Sequence, residues 1–320
     1  MANTQLQTVT LGLNGPQVPP LCIGTWAWGD KLFWNYGNGY GAAEVRQAYE
    51  AAIGAGITFF DTAEVYGFGV SESLIGEFMR ETNQPVQIAT KFGPAPWRWS
   101  AQSVSDAITA SLKRLQISQI DLYQVHWPVS FLLSQKTLMN ALADEVKRGR
   151  IKAIGVSNYS AQQMQEAHQL LSSRGVPLAA NQVRYSLINR NIESDGILDT
   201  ARDLGITILA YSPLAQGLLT GKYSASQAQL PTGVRQFDSR FGREGLAKIA
   251  PVINLLSQIA DLHGRTPAQA ALNWLIAQGG VIPIPGAKTA KQVKQNAGAL
   301  GWKLSAGEVE QLDKISRSFK

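Results

Sequence analysis

Residues 153–185 read AIGVSNYSAQQMQEAHQLLSSRGVPLAANQVRY. The two ends, Ala153–Asn158 and Ala180–Tyr185, are mostly apolar runs of strand length, without the in–out alternation of a half-exposed strand. Between them Ser160 and Gln163 have the spacing of a capping box, and Met164, Ala167 and Leu171 recur on one helical face. A strand buried on both faces, a capped helix and a second such strand form the repeating unit of a parallel sheet covered by helices.

The same unit extends in both directions. Strand candidates precede it at Leu21–Thr25, Ile57–Thr62, Val86–Lys91 and Leu122–Trp127, and follow it at Thr207–Pro213 and Val281–Pro285. Helical stripes lie between them. Ser103 with Asp106 opens one over Val104, Ile108, Leu112 and Leu115. Ile197, Leu198, Ala201 and Leu204 form another, stopped by Gly205, and Thr266, Pro267 and Gln269 open a third. Eight strands alternating with helices predict one (β/α)8 TIM barrel domain over residues 1–320. An open doubly wound sheet is the rival, but Gly12 and Gly15 do not stand between a strand and a helix as a dinucleotide-binding glycine turn would. Residues 1–20 predict a hairpin across the barrel floor. Leu246–Leu262 and Ser305–Phe319 predict two extra helices, and the loops Gly24–Gly41 and Gly217–Gly242 are long enough to serve as covers.

Composition excludes several classes. The chain is 45% apolar and 16% charged, which suits a large packed core rather than disorder. No apolar run has membrane-spanning length, and Met1–Gly15 resembles neither a secretory signal nor a transit peptide, so a cytoplasmic location is expected. Cys22 is the only cysteine, which rules out an intrachain disulfide and a cysteine metal cluster. The net charge of +6 comes without a basic run, so a small-molecule partner is expected and nucleic acid is not.

Active sites of such barrels lie at the C-terminal ends of the strands. The second candidate strand ends in Asp61, with Tyr66 just beyond; the third ends in Lys91 and the fourth in His126. A phenol with a reference pKa of about 10 becomes a better proton donor beside an ammonium, which favours phenolate. Lys91 is expected to lower the Tyr66 pKa in this way, with Asp61 holding Lys91 charged and His126 hydrogen-bonding a carbonyl oxygen. No metal is needed for this chemistry. Singly, each residue reads more readily as a structural ion pair, cap or satisfied histidine, as His168 and His263, within or near the end of helices, do. Trp26, Trp28, Trp97 and Trp127 follow the early strands and are expected to wall an aromatic substrate pocket.

Seven stretches make the chain resemble the aldo-keto reductases over nearly its whole length: Gly24–Trp26, Phe60–Gly67, Ala89–Lys91, Asp121–Trp127, Ile154–Asn158, Tyr211–Leu214 and Ile282–Gly286. The likeness runs strongest to cyanobacterial and plastid-type members, which include relatives of plant pyridoxal reductase, through the Trp-Ala-Trp-Gly segment and the run from Lys91-Phe92 to Pro96-Trp97-Arg98. The resemblance implies NADP(H)-dependent reduction of aldehydes and ketones, with a catalytic tetrad of Asp61, Tyr66, Lys91 and His126. It further implies cofactor contacts from Gly24, Thr25, Trp26 and Asp61, and amide recognition by Ser157, Asn158 and Gln182. Tyr211 would stack on the nicotinamide, and Ser212, Leu214, Gln216 and Leu218 would wrap the pyrophosphate. Gly286, Lys288, Thr289, Gln292, Gln295 and Asn296 would hold the adenosine end, Lys288 being set for a 2′-phosphate at a helix N-terminus. The chain departs from many members in having Gly286 for Lys or Ser and Gln292 for Arg. The same resemblance leaves open a cofactor-binding regulatory subunit of the potassium-channel β-subunit kind. A flavin-dependent barrel is a third reading.

Overall fold

The computed structural model describes residues 7–320 except 94, 96, 129–132, 225–234 and 236–237. Eight parallel strands run in sequence order around a ring: β3 (Ile23–Gly24), β4 (Phe59–Asp61), β5 (Gln87–Phe92), β6 (Ile120–Val125), β7 (Ile151–Ser157), β8 (Leu178–Arg184), β9 (Thr207–Tyr211) and β10 (Val281–Ile284). The ring closes where Gly24 bridges Gly286 in parallel. At this seam the N–H groups of Cys22 and Gly24 donate to Pro283 and Pro285 carbonyls at 3.1 and 3.0 Å. This is the expected (β/α)8 barrel, and it excludes the open sheet.

Period-two alternation divides each strand between two environments. Phe59, Ala89, Leu122, Ala180 and Leu209 point inward and form an apolar lumen cluster with Cys22, Ile282 and Ile284. One step higher the inward positions are polar: Asp61, Lys91, Gln124 and Gln182, all buried. The lumen is therefore greasy below and charged above, which puts the chemistry at the strand ends. The expected hairpin forms from β1 (Val9–Thr10) and β2 (Gln17–Val18), paired antiparallel, and places Leu11 and Val18 in the lower lumen. Gly12 lies so close to β8 that a Cβ there would sit 2.7 Å from Ala179 Cα, and its φ of +61° suits glycine.

The outer layer comprises α1 (Ala42–Gly54), α2 (Val70–Thr82), α3 (Ala101–Leu115), α4 (Gln135–Lys147), α5 (Ala161–Ser172), α6 (Asn191–Ser194), α7 (Ile197–Asp203), α8 (Arg243–Leu262), α9 (Pro267–Ala277), α10 (Ala290–Ala297) and α11 (Ala306–Ile315). Ser160 and Thr266 cap α5 and α9 as read, each with a glutamine at the third position completing the box. The α3 cap is Ser100, not Ser103; Ser103 is its partner three residues on, so the helix starts earlier than its apolar stripe. The two extra helices are α8, which begins at Arg243, and α11, which is followed by a 3-10 turn at Arg317–Phe319. Much of the expected loop Gly217–Gly242 lies outside the described residues. Among the described residues no helix is long and apolar enough to cross a membrane.

Candidate active site

Three strand ends, those of β4, β5 and β6, bring the predicted tetrad together. Lys91, wholly buried, donates to Asp61 Oδ1 at 2.5 Å, to the Thr62 carbonyl at 2.8 Å and to the Tyr66 hydroxyl at 3.3 Å. Its Nζ also lies 4.9 Å from the centre of the Tyr66 ring. The His126 ring stands edge-on to Tyr66, with centroids 5.9 Å apart. Asp61 Oδ2 accepts from Gln182 at 2.7 Å and from Gln124 at 3.1 Å, so both carboxylate oxygens are engaged. Gln124 was not singled out in the sequence, although its inward register beside Asp61 was readable.

Burial sets the protonation states. It pushes the Tyr66 phenol above its ordinary value; Lys91 pulls it down, and Asp61 pushes it up again. The sequence led us to expect a net lowering, but loss of water outweighs the ammonium in this pocket, and Tyr66 is a neutral phenol at ordinary pH. Burial alone would lower Lys91, but Asp61 and then Tyr66 over-compensate, so its pKa is raised and it stays an ammonium. Burial and then the Lys91 charge lower His126 to about 3, which leaves a neutral imidazole.

The remaining predicted residues fall into three groups. At the rim, Ser157 Oγ donates to the Gln182 carbonyl at 3.0 Å and accepts from Asn158 Nδ2 at 3.0 Å, while Asn158 Oδ1 accepts from the half-exposed Tyr211 hydroxyl at 3.0 Å. Beyond Tyr211 the backbone turns through left-handed values at Ser212, Ala215, Gln216 and Gly217, and Leu214 caps a 3-10 segment whose Leu218 side chain is buried. At the far end, Thr289 caps α10, Gln292 accepts from the Lys288 N–H at 2.6 Å, and Asn296 donates to the Gly286 carbonyl at 3.4 Å. Gln295 is exposed, and its carbonyl accepts from Gln269. Gly286 has open space: a Cβ there would meet nothing nearer than the Gly24 carbonyl at 3.8 Å.

Two assignments change. Trp28, expected in the pocket wall, is wholly buried; its Nε1 donates to the Ala287 carbonyl at 2.7 Å and its ring packs on Phe60 and Phe78. It cannot reach a substrate. Thr25, expected at the cofactor, is also buried; its hydroxyl donates to the Asp61 carbonyl at 2.9 Å and lies 2.9 Å from Ser71 Oγ, so it braces the aspartate strand from behind. The other three tryptophans are solvent-facing, Trp26 38%, Trp127 50% and Trp97 69% exposed. Trp26 stacks on Tyr66 and on Phe33, a wall residue the sequence reading missed, and Trp127 stacks on His126.

Three cations complete the rim. The half-buried Lys288 donates to the Trp34 carbonyl at 3.2 Å and lies over the rings of Trp34 and Tyr40 at 4.8 and 4.3 Å. Burial, and then the charge of Arg235, lower its pKa. Arg235, which donates to the Gln216 carbonyl at 3.3 Å, is thus a second cation beside it that the sequence reading missed. Arg184 shares the lumen face of β8 with Gln182, and burial and then Arg240 lower its pKa.

The polar constellation thus lies at the C-terminal ends of a parallel barrel, where such barrels carry their chemistry, with aromatic rings on one side and glycines and cations on the other. The aldo/keto reductase family model matches residues 20–317. The chain belongs to that family. Among curated aldo/keto reductases it is 42% identical to the chloroplastic pyridoxal reductase of Arabidopsis thaliana over 312 residues, covering 93% of this chain and 84% of that protein. Of solved structures, a glycerol dehydrogenase from Gluconobacter oxydans superposes with a TM-score of 0.85 at 29% identity, covering 98% of this chain and 95% of that one. An aldo-keto reductase from Klebsiella pneumoniae in complex with NADPH superposes with a TM-score of 0.75 at 31% identity, covering 97% and 95%. Aldo/keto reductase membership makes the chain an oxidoreductase of carbonyl and alcohol groups.

Proposed function

We propose that this aldo/keto reductase reduces aldehydes and ketones to alcohols with NADPH, Tyr66 donating the proton. The observation that carries this reading is the contact between the Lys91 ammonium and the neutral Tyr66 phenol at the mouth of the lumen, 3.3 Å apart. NADPH, when bound, would supply the hydride to the carbonyl carbon. The chain's residues do the rest. Tyr66 gives its proton to the carbonyl oxygen, and Lys91, held charged by Asp61, stabilises the phenolate left behind until solvent reprotonates it. Neutral His126 orients the carbonyl through a ring N–H, and the Trp26–Phe33 and Trp127 walls hold a planar substrate.

The residues on the other side of the tetrad suit the dinucleotide. The Ser157, Asn158 and Gln182 amide-binding edge and the Tyr211 ring would receive the nicotinamide. The left-handed turns from Ser212 to Gly217 would lie along the pyrophosphate, and Lys288 with Arg235 would meet the 2′-phosphate. The NADPH complex of the Klebsiella relative supports the cofactor, and the name of the Arabidopsis relative supports an aromatic aldehyde.

The test is NADPH oxidation with 4-nitrobenzaldehyde by the wild type and Tyr66→Phe, beside NADPH binding by fluorescence. Lost turnover with retained binding is expected, and turnover indifferent to the substitution would refute the assigned acid. Binding without turnover of any aldehyde in a broad panel would favour the regulatory-subunit reading.

A further inference from the structure

Two glutamines stand in the lumen beside the Asp61 carboxylate, bonded to each other as well as to it. Gln182 Nε2 donates to Asp61 Oδ2 at 2.7 Å and to Gln124 Oε1 at 3.2 Å, while Gln124 Nε2 donates to Asp61 Oδ2 at 3.1 Å. The three side chains close a triangle between β4, β6 and β8. Both glutamines are buried. Room for Gln124 comes from the paired position on β7, where a Cβ on Gly155 would lie 2.9 Å from Gln124 Cγ.

The carboxylate decides which way round each amide sits. An ionised carboxylate only accepts, so each glutamine must turn an N–H toward Asp61, and neither amide can flip without setting oxygen against oxygen. Gln182 has two side-chain N–H groups, and both are taken, one by Asp61 and one by Gln124. Of the four polar amide atoms of the pair, only Gln182 Oε1 meets no partner among the described residues. A polar atom left open in a buried side chain is set to accept a hydrogen bond from a ligand. Asp61 alone would hold one N–H of Gln182 and leave the other free to serve a ligand; Gln124 is the residue that removes it.

We infer that Gln124 is a positioning residue for the cofactor: by taking the second N–H of Gln182 it makes that side chain an acceptor only, and so sets a preference for a pyridine ring bearing a carboxamide, which can donate, over one bearing an acyl group, which cannot. The inference rests on the proposed reductase reading, in which Gln182 meets the nicotinamide amide. Gln124 acts through Gln182.

The experiment measures the Kd of NADP+ and of its 3-acetylpyridine analogue, which carries a methyl ketone in place of the carboxamide, by calorimetric titration without substrate or turnover. The proteins are the wild type, Gln124→Leu, Gln124→Met, Gln182→Leu and the Gln124→Leu/Gln182→Leu double variant. The wild type is expected to bind NADP+ about tenfold more tightly than the analogue, the scale of one neutral hydrogen bond. In Gln124→Leu and Gln124→Met the two nucleotides should bind within about threefold of each other, because the released N–H can turn to the acyl oxygen. Gln182→Leu should also lose the preference, and adding Gln124→Leu should change it no further. Gln124→Met is unbranched and close to glutamine in shape, so it carries the test if the leucine variant fails to fold. A residue that merely fills the lumen would weaken both nucleotides alike. An unchanged ratio in the Gln124 variants that fold, effects that multiply in the double variant, or a wild type without preference would overturn the inference while NADP+ binding leaves the reductase reading standing. A wild type that binds neither nucleotide would overturn both.

Discussion

Lys91 donates to the Tyr66 hydroxyl at 3.3 Å while its charge is held by Asp61 at 2.5 Å. The ammonium stands beside a phenol that burial keeps protonated, and in the proposed mechanism its stabilising effect is needed only once the proton has left. Tyr66→Phe is expected to lower kcat by about a hundred- to ten-thousandfold, the usual contribution of a positioned acid. NADPH affinity, read by fluorescence titration, should stay within a few-fold of the wild type.

Removing the cation has a different signature. Lys91→Met leaves Asp61 buried with no cation at hydrogen-bonding distance, although Gln182 and Gln124 still donate to it. Breaking a buried pair in this way costs about 3–5 kcal/mol. A chemical-denaturation curve should show that loss together with a collapse of turnover, whereas Tyr66→Phe should leave the curve nearly unmoved.

The barrel is legible from its strands because parallel strands buried on both faces are written as apolar runs, and those at Ala153–Asn158 and Ala180–Tyr185 need no other information. The tetrad is legible because barrel chemistry gathers at strand ends, and Asp61, Lys91 and His126 end or follow three of them. Contacts between distant segments are not legible. Trp26 and Trp28 sit two residues apart in a stretch without periodicity, so nothing local tells that one faces solvent and the other the core. Lys288 meets Trp34 across 254 positions. The direction of the Tyr66 pKa depends on how much water the fold excludes, which no spacing encodes.

The two tryptophans offer a paired test. Trp28→Ala removes a wholly buried ring and its hydrogen bond to Ala287, and is expected to cost about 3–5 kcal/mol of stability. Trp26→Ala should cost much less and instead raise KM for aromatic aldehydes. Thermal melts and steady-state kinetics on both variants separate core from wall.

His126 supplies a pH signature. Its pKa is lowered to about 3 in the folded chain, against an ordinary value of about 6.5 in the unfolded one. Between these values the unfolded state binds a proton that the folded state refuses. Stability therefore falls as pH drops from about 6.5 toward 3. His126→Gln should flatten this part of the stability profile, measured by urea denaturation at a series of pH values.

Lys288→Ala is expected to weaken NADPH binding by about ten- to a hundredfold and NADH binding far less, as befits one lost charge-assisted phosphate contact. Equal weakening of both nucleotides would remove Lys288 from the phosphate site and leave it as a tether to Trp34 and Tyr40.

The closure of the ring has a mechanical consequence. Pro283 and Pro285 face β3 and have no N–H to give, so at these two positions the seam holds only the bonds that Cys22 and Gly24 donate. A ladder that lacks these two proline donors is the natural place for the circle to part, and amide exchange at Cys22 and Gly24 should outpace that in β6 and β7. Across that gap the Trp28–Ala287 and Lys288–Trp34 contacts act as stitches. A dinucleotide lying over the same edge would add another, making ligand uptake and the tightening of the cylinder one event.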